Sequence, residues 1–376
     1  MTSPAQSAKA LASGLAAQLA GLETPEPVLQ RRLSIAADVA VEAARAEAIC
    51  AALVVGSTAL RRCSPRADLD VVLICGEADP APRFEARRMD GLQVELERIT
   101  RAEALAMTAD DGWTWELRTA ARLGCGLPVH DPDGFGARLR DRAAGQRPWA
   151  EPYEETLRGV YGSLAALGDD AVDDGTEALR GCLDNLALLA LLDHPRRYQK
   201  AKWVLADLLH AGEAPLVEAT LRAYGVVADN AVAANDVLAA VRGLLDGVYE
   251  ALGAPSHETL IAMGYAPQHP STSYISRGLA DAEDLAASGR FLEAQYVAKF
   301  CARLLGGLCA PPDAVLGLPE AITLCGEHLA DRYRGLFGAP GPASTDLLQI
   351  AWASAEARRE SLAARASEPV EAAAPA

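Results

Sequence analysis

Apolar residues change their spacing once along this chain, near residue 101. Before that point, a short apolar run at 51–55, a second at 69–75 and an alternating segment at 92–100 predict β-strands. After it, apolar residues recur every three or four positions almost to the end, which predicts a series of helices. Strands gathered in one part of a chain and helices in the rest indicate the α+β class.

The predicted helices and the breaks between them divide the chain into segments. An amphipathic helix is predicted over 28–50, and a short one over 58–63. Gly and Pro clusters at 253–255 and 264–270 predict a linker. The later helices are predicted at 101–108, 114–124, 133–144, 153–167, 175–192, 200–211, 213–224, 229–252, 275–288, 290–308, 318–337 and 344–366. The expected domains are an N-terminal arm (1–27), a domain that holds the strands (28–144), a helical domain (145–255), an additional helical domain (270–366) and a disordered tail (367–376).

Composition limits the partners of the protein. The chain carries 51 acidic and 35 basic side chains, a net charge of -16, so no nucleic acid partner is expected. No apolar run approaches the ~20 residues that span a bilayer, so no membrane partner is expected. The eight cysteines lack zinc-site spacing and the N-terminus lacks a secretory pattern, which together predict a cytoplasmic protein with reduced thiols. The sequence leaves the oligomeric state open.

Residues 54–75 read VVGSTALRRCSPRADLDVVLIC and place two aspartates at the start of the second predicted strand. Asp68 and Asp70 are two positions apart, so both carboxylates point to the same side of that strand. Adjacent carboxylates repel each other unless a cation lies between them, and Mg²⁺ prefers such oxygen ligands. Glu95 or Glu97, on one face of the next predicted strand, could supply a third carboxylate.

Gly56 and Ser57 lie between the first two predicted strands and suggest a second half of the site. Glycine lets the backbone approach a ligand closely, and the first N–H groups of a following helix are free donors. Together these features predict a cradle for phosphate oxygens. Phosphates held beside Mg²⁺ indicate a nucleoside triphosphate and a phosphoryl-type transfer.

Three motifs in this order resemble those of the DNA polymerase β-like nucleotidyltransferase superfamily: VVGS at 54–57, DLD at 68–70 and VELE at 94–97. Within that superfamily, the chain looks most like the antibiotic (aminoglycoside) nucleotidyltransferases. Two further stretches, LGCGLPVHDPDG at 123–134 and RRYQKAKW at 196–203, are similar to segments of those enzymes.

The resemblance implies a fold and a set of site residues. The fold is a small mixed-sheet nucleotidyltransferase core, followed by predominantly α-helical C-terminal domains of which the first closes over the nucleotide. Asp68, Asp70 and Glu95 are the implied catalytic metal ligands. Glu95 is preferred to Glu97 because apolar residues flank it on both sides. Lys202, which precedes a tryptophan, is implied to contact the nucleotide phosphates.

Other polar residues allow two interpretations each. Arg61, with its neighbour Arg62, could contact phosphate or could form an ordinary basic pair on a helix surface. Asp184 enters an apolar helix, where it could contact the acceptor substrate or could simply favour the helix start.

The expected activity is Mg²⁺-dependent transfer of a nucleoside monophosphate to a hydroxyl of a small molecule, with release of pyrophosphate. ATP is the favoured triphosphate, and AMP the favoured group. The negative net charge favours a cationic acceptor, such as an aminoglycoside-like antibiotic or a biosynthetic intermediate. Two alternatives stay open: a protein-modifying AMP-transferase of the toxin–antitoxin type, and a non-catalytic binding protein that retains the fold.

Overall fold

The computed structural model of the protein describes residue 15 and residues 24–63, 67–76, 82–108, 122–145, 150–169, 174–194, 200–226, 228–263, 269–309, 318–337 and 342–366. Most of the predicted arm, the predicted tail and most of the helix predicted at 114–124 therefore lie outside the described residues.

Within that described part, five strands form one mixed sheet. The strands are β1 (Ile49–Val55), β2 (Leu69–Cys75), β3 (Phe84–Met89), β4 (Leu92–Thr100) and β5 (Leu127–His130). Their order across the sheet is β3-β4-β2-β1-β5. β2 and β4 are parallel, and the other neighbouring strands are antiparallel. The expectation of a small mixed sheet followed by helices is confirmed.

The central strand of the sheet is β2, and its apolar composition follows from its position. All seven of its residues are buried, as the continuous apolar run predicts. The predicted strands 69–75 and 92–100 are confirmed, and the strand predicted at 51–55 begins two residues earlier. β3 and β5, which form the two edges, are not predicted by the apolar spacing.

Two helices cover the two faces of this sheet. α1 (Glu26–Ala46) packs on the face to which Val71 of β2 points. Val72 points to the opposite face, where it joins the cluster that contains residues of α4 (Phe135–Gly145). Because side chains alternate along a strand, Asp70 lies on the α4 face.

The same alternation places the acidic residues of β4. Val94 and Leu96 pack on the α1 face, and Ile99 packs on the α4 face. Glu95 therefore shares the α4 face with Asp70, which confirms the predicted separation of the acidic and apolar sides of this strand.

Short helices follow β1 and β4. α2 (Gly56–Ala59) is the helix predicted at 58–63, and that prediction is wrong at both ends. α3 (Arg101–Met107) begins with a capping box, in which Thr100 accepts from the Glu103 amide and the Glu103 carboxylate accepts from the Thr100 amide.

The remaining regular elements among the described residues are helices. They are α5 (Ala150–Gly168), α6 (Gly175–Leu192), a 3₁₀ turn (Ala201–Trp203), α7 (Val204–His210), α8 (Ala214–Ala223), α9 (Ala231–Ala251), α10 (His257–Met263), α11 (Pro270–Ala287), α12 (Phe291–Cys309), α13 (Leu318–Thr323), α14 (Glu327–Phe337) and α15 (Thr345–Ala366). The helix predicted at 175–192 is confirmed at both ends, whereas the one predicted at 318–337 is two helices with Gly326, at φ +144, between them.

Leu15 and buried side chains between Tyr153 and Ala355 form one hydrophobic cluster. It includes residues of the predicted helical domain (145–255) and of the predicted additional domain (270–366), so these two ranges share a core among the described residues. Within the part of the chain that the structure describes, no helix combines the length and apolarity needed to cross a membrane.

Candidate functional site

Three carboxylates meet where β2 and β4 begin. The parallel register pairs Asp70 with Glu95, and Asp68 lies two residues before Asp70 on the same side. One carboxylate oxygen from each residue lies within 4.8 Å of the other two. Oxygens that share one Mg²⁺ at ~2.1 Å are about 3–4 Å apart, so small side-chain rotations would let all three ligate one ion. This group is called the carboxylate cluster.

Burial and nearby charges set the protonation of this cluster. The side chains of Asp70 and Glu95 are each 8% exposed, and that of Asp68 is 17% exposed. Burial raises the pKa of Glu95; the guanidinium of Arg277 opposes that rise, and Asp68 and Asp70 add to it. A cation at the cluster would relieve this repulsion.

The pKa of Asp68, in contrast to that of Glu95, lies below its ordinary value. Burial alone would raise this pKa, but Lys200, Lys202 and Arg277 together outweigh burial and lower it. The cluster therefore contains one carboxyl biased toward ionisation and one, Glu95, biased toward holding a proton.

A buried arginine of α1 fixes the segment that precedes β2. Arg32, 4% exposed, donates to the carbonyl oxygens of Ala67 and Asp68 at 2.8 and 3.0 Å. It also donates to Thr58 Oγ1 of α2 at 3.3 Å. Arg32 thus ties the Asp68 backbone to the helix that follows Gly56, a positioning contact that no sequence motif indicates.

The structure brings Glu95, rather than Glu97, to the carboxylate cluster. Glu97 accepts from Arg122 Nη1 at 2.5 Å. Arg122 Nη2 lies 3.8 Å from Asp70 Oδ1, so this arginine borders the cluster without separating its three members.

The close approach of the backbone to Asp70 requires a glycine at position 56. Its φ is +66, and a Cβ atom at this position would lie 2.2 Å from Asp70 Oδ2. Only glycine fits that approach without strain. The backbone turn after β1 and the carboxylate cluster therefore touch, as the predicted phosphate cradle requires.

The hydroxyl group of Ser57 is a candidate contact for a ligand. The residue is 3% exposed, and its Oγ has no hydrogen-bond partner among the described residues. A buried hydroxyl without a partner costs about 1–3 kcal/mol, and a ligand oxygen would supply the missing partner. α2 has four residues, too few for a strong helix dipole, so the hydroxyl is the better-supported contribution of this turn.

The two lysines before Trp203 have different partners. Lys200 Nζ lies 3.9 Å from Asp70 Oδ2. Lys202 Nζ, which the sequence favours for phosphate contact, donates to Asp281 of α11 at 2.5 Å. The structure therefore places Lys200 beside the cluster and holds Lys202 in an ion pair next to it.

Trp203 anchors the turn that carries these lysines. It is 4% exposed, and the guanidinium carbons of Arg62 and Arg290 lie 5.7 and 4.6 Å from its ring centroid. Arg62 also pairs with Asp207 of α7 at 2.5 Å.

Arg61 does not join the cluster through its observed contacts. Its φ is +56, its side chain is 56% exposed, and it pairs with Glu26 at 3.5 Å. The predicted phosphate contact of Arg61 gains no support from this position.

Asp184 belongs to a different group of side chains, inside the helical core. Its Oδ2 accepts from the Tyr224 hydroxyl at 2.7 Å and from Arg303, which also donates to Glu177 at 2.5 Å. Burial raises the pKa of Asp184, and Arg303 opposes that rise. The observed contacts of Asp184 give it a structural role, and its predicted contact with an acceptor gains no support from them.

One member of the site had no sequence signal. Arg277 of α11 donates through Nη2 to Glu95 Oε1 at 2.7 Å and to Asp68 Oδ2 at 3.0 Å. It lies 182 residues after Glu95 in the chain, and no motif surrounds it.

Comparison with known proteins finds no family model that matches the chain and no curated protein that is significantly similar to it.

Proposed function

We propose that this protein is a Mg²⁺-dependent nucleotidyltransferase. It transfers a nucleoside monophosphate, with AMP from ATP favoured, to a hydroxyl of a small molecule and releases pyrophosphate. The observation that carries the proposal is the convergence of Asp68, Asp70 and Glu95 beside the Gly56–Ser57 turn. A triad of carboxylate oxygens suits Mg²⁺, and the turn offers a close approach and a buried hydroxyl to phosphate oxygens.

The residues of the site have separate proposed roles in binding the metal and the phosphates. Asp68, Asp70 and Glu95 would hold Mg²⁺, which when bound neutralises charge on phosphate oxygens. Ser57 donates its hydroxyl to a phosphate oxygen, and Lys200 adds a positive charge next to the cluster.

The transfer forms one bond and breaks another at the α-phosphorus. The acceptor oxygen bonds to this phosphorus, and the bond from it to the bridging oxygen of the β-phosphate breaks, so pyrophosphate leaves. Glu95 would accept the proton of the acceptor hydroxyl through a carboxylate oxygen that does not bind the metal. Against the effect of burial, Lys200, Lys202 and Arg277 lower the pKa of Asp68, which favours the ionised form that can bind a metal.

Charge at the site bears on the class of acceptor. Arg277, Lys200 and Arg122 lie beside the three carboxylates and offset much of their charge. A triphosphate brings more negative charge than one Mg²⁺ neutralises, so the loaded site is negative and favours a cationic, hydroxylated acceptor.

The test is an incubation of the protein with Mg²⁺, each nucleoside triphosphate and a panel of cationic, neutral and anionic hydroxylated acceptors. Pyrophosphate release and product mass are measured, and Asp70→Asn serves as the inactive control. Release that depends on a cationic acceptor, with a mass increase of one nucleoside monophosphate, is expected. No release with any acceptor, together with no calorimetric binding of Mg-ATP, contradicts the proposal.

A further inference from the structure

Arg277 lies where a shared cation would lie. One nitrogen, Nη2, is within hydrogen-bond distance of oxygens from Glu95 and Asp68, two of the three proposed metal ligands. Its side chain is 36% exposed, whereas the carboxylates that it bridges are 8% and 17% exposed. The guanidinium therefore reaches into the cluster from the solvent side and has room to move away.

A guanidinium and Mg²⁺ compete for this position. Both need the same carboxylate oxygens, and two cations at one cluster repel each other across a partly buried site. Binding of a metal therefore requires Arg277 to leave Asp68 and Glu95.

The backbone of Arg277 cannot follow its side chain far. Gly278, the next residue, packs so closely on α12 that a Cβ atom there would lie 2.6 Å from Cys301 Sγ. Asp281, one turn further along α11, pairs with Lys202 at 2.5 Å. The displaced guanidinium accordingly stays within a side chain's length of the cluster, where a bound polyphosphate would compete for it with Asp281, four residues further along the helix.

We infer that Arg277 is a polyphosphate ligand, stored on Asp68 and Glu95 until Mg²⁺ and nucleotide arrive and then transferred to phosphate oxygens. The inference rests on the proposed nucleotidyl transfer. A planar guanidinium suits phosphate, because its donors can engage two oxygens at once. Two consequences follow: Mg²⁺ or Mn²⁺ alone binds weakly, and metal and nucleotide strengthen each other's binding.

The test compares the wild-type protein with Arg277→Ala and with Arg242→Ala. Arg242, of α9, pairs with Glu283 of the same helix as Arg277, so its removal also deletes an ion pair to α11 but leaves the cluster alone. Isothermal calorimetry measures binding of Mn²⁺ alone and of Mg-ATP. Arg277→Ala should bind Mn²⁺ about tenfold more tightly and Mg-ATP about tenfold more weakly than wild type, and Arg242→Ala should match wild type in both.

A second variant keeps the test decisive if Arg277→Ala is poorly folded. Arg277→Lys retains the charge but loses the two-pronged donor geometry, so it should keep the weak Mn²⁺ binding and still lose affinity for Mg-ATP. Thermal unfolding checks that each variant is folded.

The outcomes separate the two claims. Wild-type affinities for both ligands in Arg277→Ala, with Mg-ATP bound by wild type, overturn the role of Arg277 and leave the proposed function standing. Tighter binding of both Mn²⁺ and Mg-ATP in Arg277→Ala shows that Arg277 only blocks the cluster, which also overturns the inference. No binding of Mg-ATP to wild type overturns the proposed function and, with it, the polyphosphate role.

Discussion

Replacement of Gly56 by alanine tests the contact between the turn and the carboxylate cluster. Gly56 has φ +66, and an added Cβ would lie 2.2 Å from Asp70 Oδ2. Gly253 is a matched control, because its φ is +67 and an added Cβ there would meet nothing within 4 Å. Both variants place alanine in a left-handed backbone conformation, but only Gly56→Ala creates an overlap.

The cost of the left-handed backbone and the cost of the overlap with Asp70 can be estimated separately. A left-handed conformation costs a residue with a Cβ about 1–2 kcal/mol, so Gly253→Ala should lose roughly that much unfolding free energy. Gly56→Ala should lose about 1–3 kcal/mol more, the usual cost of overpacking a buried site. Asp70 lies in the buried central strand β2, whose backbone is paired on both sides, so the aspartate side chain has to move.

Denaturant unfolding measures the loss of unfolding free energy in each variant. Calorimetric titration with Mn²⁺ measures whether the overlap also lowers metal affinity. Gly56→Ala should lose metal affinity because Asp70 is displaced, whereas Gly253→Ala should keep the wild-type affinity. Equal losses of unfolding free energy in the two variants, with unchanged metal affinity in both, would refute the assignment of Gly56 to the site.

Three further predictions concern single side chains. Asp70→Asn should lower nucleotidyl transfer about 100-fold or more with little change in thermal unfolding, and wild-type pyrophosphate release would disprove the metal assignment. Asp184→Asn should lose about 2–4 kcal/mol of unfolding free energy in denaturant, because the largely buried Arg303 loses the charge of its partner, while Mn²⁺ affinity stays unchanged; a large loss of affinity would return Asp184 to the site. Burial, with Arg180 adding to it, lowers the pKa of Lys299 to about 8, so the unfolded chain holds this proton more tightly. Unfolding free energy should therefore rise between about pH 8 and about 10.4, by at most about 3 kcal/mol, and Lys299→Met should show no such rise.

The sheet could be predicted in its centre and not at its edges. β2 and β4 have clear patterns, because a central strand is apolar throughout and its neighbour is acidic on one face. β3 is a partly exposed edge strand with the sequence FEARRM, and β5 is four residues long and contains a proline. Edge strands need less apolar surface and tolerate proline, so apolar spacing gives little sign of them.

The carboxylate half of the site could be predicted because local rules control it. Alternation along a strand puts Asp68 and Asp70 on one side, and the parallel pairing of β2 and β4 adds Glu95. The cationic half depends on how helices far along the chain pack against the sheet domain. Lys200 and Arg277 reach the cluster through such packing; the stretch RRYQKAKW at 196–203 indicated the segment of Lys200 but favoured Lys202, and no motif surrounds Arg277.

The helices contribute basic side chains to the candidate site, in addition to packing against the sheet. Arg277 of α11 bonds directly to two carboxylates, and Lys202 ties the turn before α7 to Asp281 of the same helix. Any ligand that draws Arg277 away from the carboxylates therefore changes a contact between the sheet and α11. If Arg277 and a metal compete for the cluster as we propose, a change that strengthens the contact of α11 with the carboxylates should weaken metal binding. Metal affinity would then report on the position of the Arg277 side chain, and occupancy of the cluster would be coupled to the helical half of the chain.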